Sequence, residues 1–408
     1  MKKILMVAAI LAIPSVMLLG FEKLLDHKGA EVPPPPSDSA SIEIPARAGS
    51  KFPFLDSSPG GDVYLSWLEP AGEGQHRLRL SRLLRNRWTQ PLTIAQGPRW
   101  FVNWADFPSL KVGSNGLMAA HWLAYRAEGK YDYDVQISLS RDSGSSWTTP
   151  ITPHRDGIAA EHGFVSMVEW RNRFSLFWLD GRHTVETPPR PMTLRHAFLD
   201  GSGQLSGEVE LDASVCDCCQ TGAAVTIDGP IVAYRDRSEG EIRDIRVIRF
   251  DGSLWSEPLP VGSDGWMIEG CPVNGPAIDA HENQVAIAWF TQADDNPQVR
   301  LAFSQDAGMT FPTAFRVDQG DPYGRVDVLL NPDGSTWVSW LEARTDDGVD
   351  IRLRRFTLEG PQEEVIVVGQ TSGARSSGFP RMARYGRELL IAWTEPGDAS
   401  RIRSDWIR

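Results

Sequence analysis

One aromatic residue returns at a near-constant interval along this chain, and that repeat constrains the fold more than any other feature. Trp67, Trp122, Trp178, Tyr234, Trp289, Trp340 and Trp393 are spaced by 55, 56, 56, 55, 51 and 53 residues. Each lies in a short stretch that alternates apolar and other side chains, such as DVYLSWLEP, QVAIAWFTQ and ELLIAWTEP. That alternation is the mark of a strand. A shorter apolar stretch precedes each one: FPFLDS, FPSLKV, FVSMVE, AAVTID, PAIDAH, VDVLLN and FPRMAR. Third strands follow, such as HRLRLSRL and QVRLAFS, and then fourth strands, such as TQPLTIAQG and SEPLPVG. Four antiparallel strands repeated radially make a propeller blade. One blade cannot bury both of its faces, so the units stack around an axis.

Six fourth strands are clear, and the last unit, ending in RIRSDWIR, lacks its own. The segment SIEIPAR, Ser41 to Arg47, is expected to supply it and so close the ring without an open edge. Pro45 is tolerable in an outermost strand. The sequence therefore predicts an all-β, seven-bladed β-propeller over residues 41–408, with six blades as the alternative count.

Ahead of it, Lys2 and Lys3 precede an apolar run from Ile4 to Phe21. The lysines favour a cytoplasmic N-terminus, and the run lacks a good small-residue cleavage site. Residues 1–25 are thus expected to be an uncleaved signal-anchor helix, with a cleaved signal peptide as the alternative. Residues 26–40, with Pro33 to Pro36, form a stiff linker. The body is expected on the periplasmic or extracellular side, tethered to the membrane, or secreted if the signal is cleaved. The net charge of -12 is spread along the chain. That argues against nucleic acid, which needs a basic stripe, but leaves room for an anionic small ligand.

Two turns carry the pattern Ser-x-Asp-x-Gly-x-x-aromatic: Ser140, Asp142, Gly144 and Trp147, then Ser304, Asp306, Gly308 and Phe311. They resemble the Asp-boxes (BNR repeats) of sialidase-like propellers. That family uses three arginines, a Tyr–Glu nucleophile pair and an Asp acid/base, and its first arginine stands in an Arg-Ile-Pro motif. The matching stretch here is Lys51-Phe52-Pro53, a point charge in place of a guanidinium fork. Arg325 beside Tyr323, and Arg375, are the candidates that the resemblance leaves for the other arginines and the tyrosine. The chain is also similar to exported bacterial sialidase-family proteins marked by Cys-x-Cys-Cys-Gln-Thr, here Cys216 to Thr221.

In a propeller, the loops from each fourth strand into the next first strand open on one face. The unusual residues gather in those loops. They include Trp100, Asn103, Trp104 and Asp106; Glu161 and His162; Cys216, Cys218, Cys219 and Gln220; and Cys271 and Asn274. Loops from second to third strands add Arg235 and Arg237 on the same face. Convergent polar groups at one mouth define the default site. Four cysteines in two neighbouring loops have three readings. One is a pair of disulfides, Cys271 with one of the three and a second bridge within the cluster. Another is a thiolate metal site for copper or zinc, helped by His162. The third is a reactive redox thiol. Asp106 and Glu161 are candidates for an acid/base pair of glycosidase type. Trp100 and Trp104 lie outside the repeat register and are expected to face ligand, with Asn103, Gln220, Arg235, Arg237 and Asn274.

Three functions follow. The first is a non-hydrolytic propeller with a cysteine-centred site serving a metal pathway or an extracytoplasmic protein partner. The second is an exo-alpha-sialidase-like glycoside hydrolase acting on a glycan. The third is a protein-binding scaffold.

Overall fold

The computed structural model describes residues 42–407. The expected anchor and Pro-rich linker lie outside the described residues, among which no helix is long and apolar enough to cross a membrane. The described chain forms seven antiparallel sheets, one per repeat. Their innermost strands are Lys51–Ser57, Ser109–Val112, His162–Trp170, Gly222–Val225, Ala277–His281, Pro322–Leu330 and Arg381–Tyr385. Together they surround a central cavity of about 440 Å³ with residues from all seven blades in its wall.

The repeated aromatics lie in the second strands and are buried between blades, with Trp67, Trp178, Trp289 and Trp340 fully inaccessible. Side chains two apart on a strand share a face, and this repeat uses that rule. Trp178 Nε1 donates to Asp180 at 2.8 Å, and Trp340 Nε1 donates to Glu342 at 2.6 Å. In these two blades the indole buries its body and keeps its N–H satisfied, whereas Trp67 Nε1 and Trp393 Nε1 have no hydrogen-bond partner among the described residues.

Carboxylates on the innermost strands tie blade to blade. Asp56 accepts from Lys111 Nζ (2.8 Å) and Val112 N (2.6 Å), Asp279 from Leu330 N (2.8 Å), and Asp327 from Met382 N (2.7 Å). The ring closes where Phe52 N donates to Thr394 Oγ1 (3.0 Å) and Ser57 Oγ to the Arg384 carbonyl (2.9 Å).

Two details differ from the sequence expectation. Among the described residues, the segment ahead of the first blade reaches the last blade but forms no ladder with it. Ile42, Ile44 and Ala46 pack near Ile402 and Trp406, and Ser404 Oγ donates to the Ile42 carbonyl at 3.1 Å. Pro45, in mid-segment, has no N–H to offer a ladder. In the second blade, the fourth strand shrinks to a single bridge between Ile137 and Ile151.

Both Asp-box turns have the expected chemistry. Gly144 N donates to Ser140 Oγ (2.9 Å), Ser146 N to Asp142 (2.8 Å), and Trp147 Nε1 to the Gly144 carbonyl (3.1 Å). Gly308 N and Thr310 N repeat the first two bonds with Ser304 and Asp306, each at 2.9 Å. Gly144 has φ 88°, and a Cβ there would stand 2.4 Å from Leu80 Cδ2 on the neighbouring blade.

Candidate functional site

The cysteine turn begins where the third blade's outer strand, Leu205–Val215, ends. Cys216 N is fixed by the Arg235 carbonyl at 3.0 Å. The chain then turns sharply into the innermost strand of the fourth blade. That turn brings Cys216 Sγ to 3.1 Å from Cys219 Sγ and 3.9 Å from Cys218 Sγ. Cys271, from the next loop, interacts electrostatically with Cys218 but lies outside the group of three whose sulfurs are within 4.8 Å of one another. Cys216 and Cys219 are buried, Cys218 is half-buried, and Cys271 is exposed. The cluster therefore has a closed floor and an open mouth.

All four are free thiols, so the disulfide alternative is not what the structure contains. The shortest sulfur contact, 3.1 Å, is a non-bonded approach, well beyond the roughly 2.05 Å of an S–S bond.

The residues after the cysteines hold this turn in place. Gln220 Nε2 donates to the Ala105 carbonyl (2.6 Å), and Gln220 Oε1 accepts from Gly275 N (3.0 Å). Thr221 Oγ1 donates to the Phe164 carbonyl (2.8 Å). The Gln-Thr pair thus staples the loop to the second, third and fifth blades. Gly275 is required for this approach, because a Cβ there would stand 2.0 Å from the Gln220 carbonyl oxygen.

Positive charge surrounds the sulfurs. Arg243 Nη1 donates to Cys216 Sγ at 3.3 Å and is itself paired with Glu241 at 2.6 Å. Arg237 joins Glu241 (2.9 Å) to Asp217 (3.1 Å). Hydrogen bonds from Cys218 and Cys219, aided by the Arg235 charge, hold the Cys216 thiol well below its ordinary range. Cys218 is pushed up by its sulfur partners, and Cys219 by burial. Within the turn, Cys216 is therefore the sulfur whose surroundings most favour the thiolate.

Several residues expected to face a ligand serve the scaffold instead. Arg235 is 2% exposed and lies over the Trp266 ring. It donates to the carbonyls of Asn274 (2.8 and 3.0 Å), Arg243 (2.6 Å) and Phe290 (2.6 Å). Arg325 is likewise buried, donating to Gly373, Ala374 and Gly378 carbonyls and to Ser377 Oγ. Its guanidinium covers the Trp104 ring at 4.8 Å, and Trp104 stacks on Phe379. Asn274 Oδ1 accepts from Arg325 N at 2.7 Å. Asn103 Oδ1 caps its own turn through Ala105 N at 2.9 Å. Trp100 is buried on Trp122. Tyr323 and Arg375 are exposed.

Asp106 and Glu161 do come together, through a residue the sequence reading missed. Tyr133 Oη bridges them, 3.0 Å from Asp106 Oδ2 and 2.7 Å from Glu161 Oε1. Tyr133 is fully buried and stacks on Phe101 at 3.9 Å, so it does not meet an external sugar. Burial, together with the Glu161 charge, pushes Asp106 up to about 8. Burial and the Asp217 charge push Glu161 up to about 7.

A carboxyl whose folded value lies above its unfolded one favours the folded state while protonated. That stability is lost as pH rises from about 4 toward about 8. Asp106→Asn keeps acceptor and donor in place. It is expected to give a shallower decline across this window, where one such group contributes at most about 1.4 kcal/mol per pH unit. Urea unfolding at a series of pH values checks this, and an unchanged slope would show that Asp106 is ionised in the folded protein.

His162 opens the strand His162–Trp170. It does not join the cysteine group and stacks on His154, with ring centroids 3.8 Å apart, among Asp134, Asp156 and Asp180.

No protein-family model matches this sequence, and no curated protein is similar to it. Among solved structures, the chain is similar to a protein of unknown function from Dyadobacter fermentans. Identity is 17% over 91% of this chain and 98% of that one, with a TM-score of 0.53. It is also similar to an ulvan lyase of polysaccharide lyase family PL25 (13% identity, 89% and 95% covered, TM-score 0.54). A Trypanosoma rangeli sialidase gives 12% identity, 90% and 59% covered, and a TM-score of 0.48. Folds of this kind host unrelated chemistries. What the first two likenesses establish, with the seven sheets and the Asp-box turns, is the architecture: this chain is a β-propeller.

Proposed function

We propose that this propeller is an extracytoplasmic thiol–metal protein that holds copper(I) or zinc between Cys216, Cys218, Cys219 and Cys271. The observation that carries the reading is the convergence of three free thiols, Cys216, Cys218 and Cys219, whose sulfurs lie within 4.8 Å of one another, two of them buried, with a fourth free thiol, Cys271, in the next loop. Tetrahedral zinc with bonds of about 2.3 Å needs sulfur–sulfur edges of about 3.8 Å, and the 3.1 and 3.9 Å separations bracket that value. Three soft thiolates also suit copper(I). A sugar hydrolase needs no such cluster. The exo-sialidase alternative draws little support from Arg325, whose guanidinium is taken up by backbone carbonyls and Ser377.

Export and metal binding support each other. On the oxidising side of a membrane, two thiols 3.1 Å apart would close to a disulfide unless a metal occupied them. Metal analysis and thiol titration of anaerobically purified protein test the proposal. One copper or zinc per chain, with thiols that react only after chelation, is expected. Absence of metal together with four oxidised cysteines would sink it.

A further inference from the structure

The histidine–carboxylate cluster at the second and third blades belongs to no part of the thiol centre. His162 is fully buried, and the side chains of Asp156 and Asp180 are 5% and 0% exposed. His162 Nδ1 lies 3.2 Å from the Ala160 carbonyl and 3.3 Å from that of Tyr133. Both partners only accept, so Nδ1 carries the ring proton. In the neutral ring, the Nε2 lone pair then faces Asp156 Oδ2 at 3.2 Å and Asp180 Oδ1 at 3.6 Å. Neither His162 Nε2 nor Asp156 Oδ2 makes an aligned hydrogen bond, although both are buried; Asp156 Oδ2 also pairs with Arg182 Nη2 at 3.2 Å. A lone pair opposed to two carboxylate oxygens repels them unless a positive charge, a proton on Nε2 or a metal ion, lies between.

We infer that His162, Asp156 and Asp180 form a second, structural metal site, of nitrogen–oxygen type, for zinc. Bonds of about 2.0–2.1 Å in a tetrahedron need ligand–ligand edges of about 3.3 Å, and the two distances fall on either side of this. An imidazole that ligates through one nitrogen while the other donates to a backbone carbonyl is the usual arrangement at such sites. The supports of the carboxylates are also in place. Arg182 binds both oxygens of Asp180 (2.8 and 2.7 Å), and Trp178 Nε1 adds a third donor at 2.8 Å. His154 Nε2 accepts from Val135 N at 3.3 Å, which leaves the proton on Nδ1, 3.5 Å from Asp156 Oδ2. His154 Nε2 is thus occupied by a backbone N–H, so His154 is not itself a ligand. With no exposed ligand, the ion would enter as the chain folds and clip the loop that carries Asp156 to the third blade.

Zinc content and zinc-edge X-ray absorption of the full-length Cys219→Ser protein, refolded with zinc alone, test the site independently of the thiol centre. The expectation is close to one zinc per chain, surrounded only by nitrogen and oxygen, and a raised melting temperature against protein refolded without zinc. Asp156→Asn, nearly isosteric, should lose that ion and leave metal at the cysteines untouched, and His162→Gln should do the same. A Cys219→Ser protein that takes up no zinc and melts alike with and without it would overturn the inference, leaving His162 as a protonated partner of the two aspartates.

Discussion

Cys219→Ser is expected to weaken binding of copper(I) or zinc by at least about 100-fold, since losing a ligand exceeds the 10–100-fold cost of disturbing its outer shell. The blades should stay folded, because serine is close in size and the turn is held by Gln220 and Thr221, not by its sulfurs. Arg243→Met, which removes the guanidinium 3.3 Å from Cys216 Sγ, should weaken binding by roughly 10-fold. It leaves every sulfur in place but takes away the charge that favours the thiolate. Competition against a colorimetric chelator of known affinity measures both. Equal affinity in wild type and Cys219→Ser would remove the buried floor of the cluster from the account.

The largest loss of stability is expected at Arg235. Its guanidinium satisfies three backbone carbonyls from three segments and packs flat on Trp266. Arg235→Met fills much of the volume but leaves those carbonyls buried without donors. Each unsatisfied group costs about 1–3 kcal/mol, so a total of about 3–5 kcal/mol is expected. One of the carbonyls belongs to Asn274, in the loop that presents Cys271, so metal affinity should fall as well. Urea unfolding reads the first effect as a lower midpoint at unchanged slope. A shift worth less than about 1 kcal/mol would mean that the loop finds other donors.

The fold was legible because its signal repeats. Trp67 and its counterparts return once per blade, and the alternation around them sets the strand faces without reference to distant residues. The thiol cluster was legible for a related reason: once the blades are counted, Cys216 to Cys219 and Cys271 fall in adjacent loops on one face. The arginines were not. Arg235 and Arg325 look like ligand-binding residues, yet their partners are backbone carbonyls, which leave no trace in a sequence. Tyr133 and Asp180 were hidden inside strands that read as ordinary blade segments. A signal for Asp180 did exist, since Trp-Leu-acid recurs at Trp67 to Glu69, Trp178 to Asp180 and Trp340 to Glu342. His162 was misdirected by counting loop membership alone, when it opens a strand and packs into a buried histidine–carboxylate cluster.

Anomalous diffraction at the metal edge, from crystals of full-length protein grown without oxygen, examines the thiol centre most directly. The account predicts a peak about 2.3 Å from the sulfurs of Cys216, Cys218 and Cys219, with Cys271 at its open side. Density with no metal peak there, and Cys216 joined to Cys219 at about 2.05 Å, would contradict it.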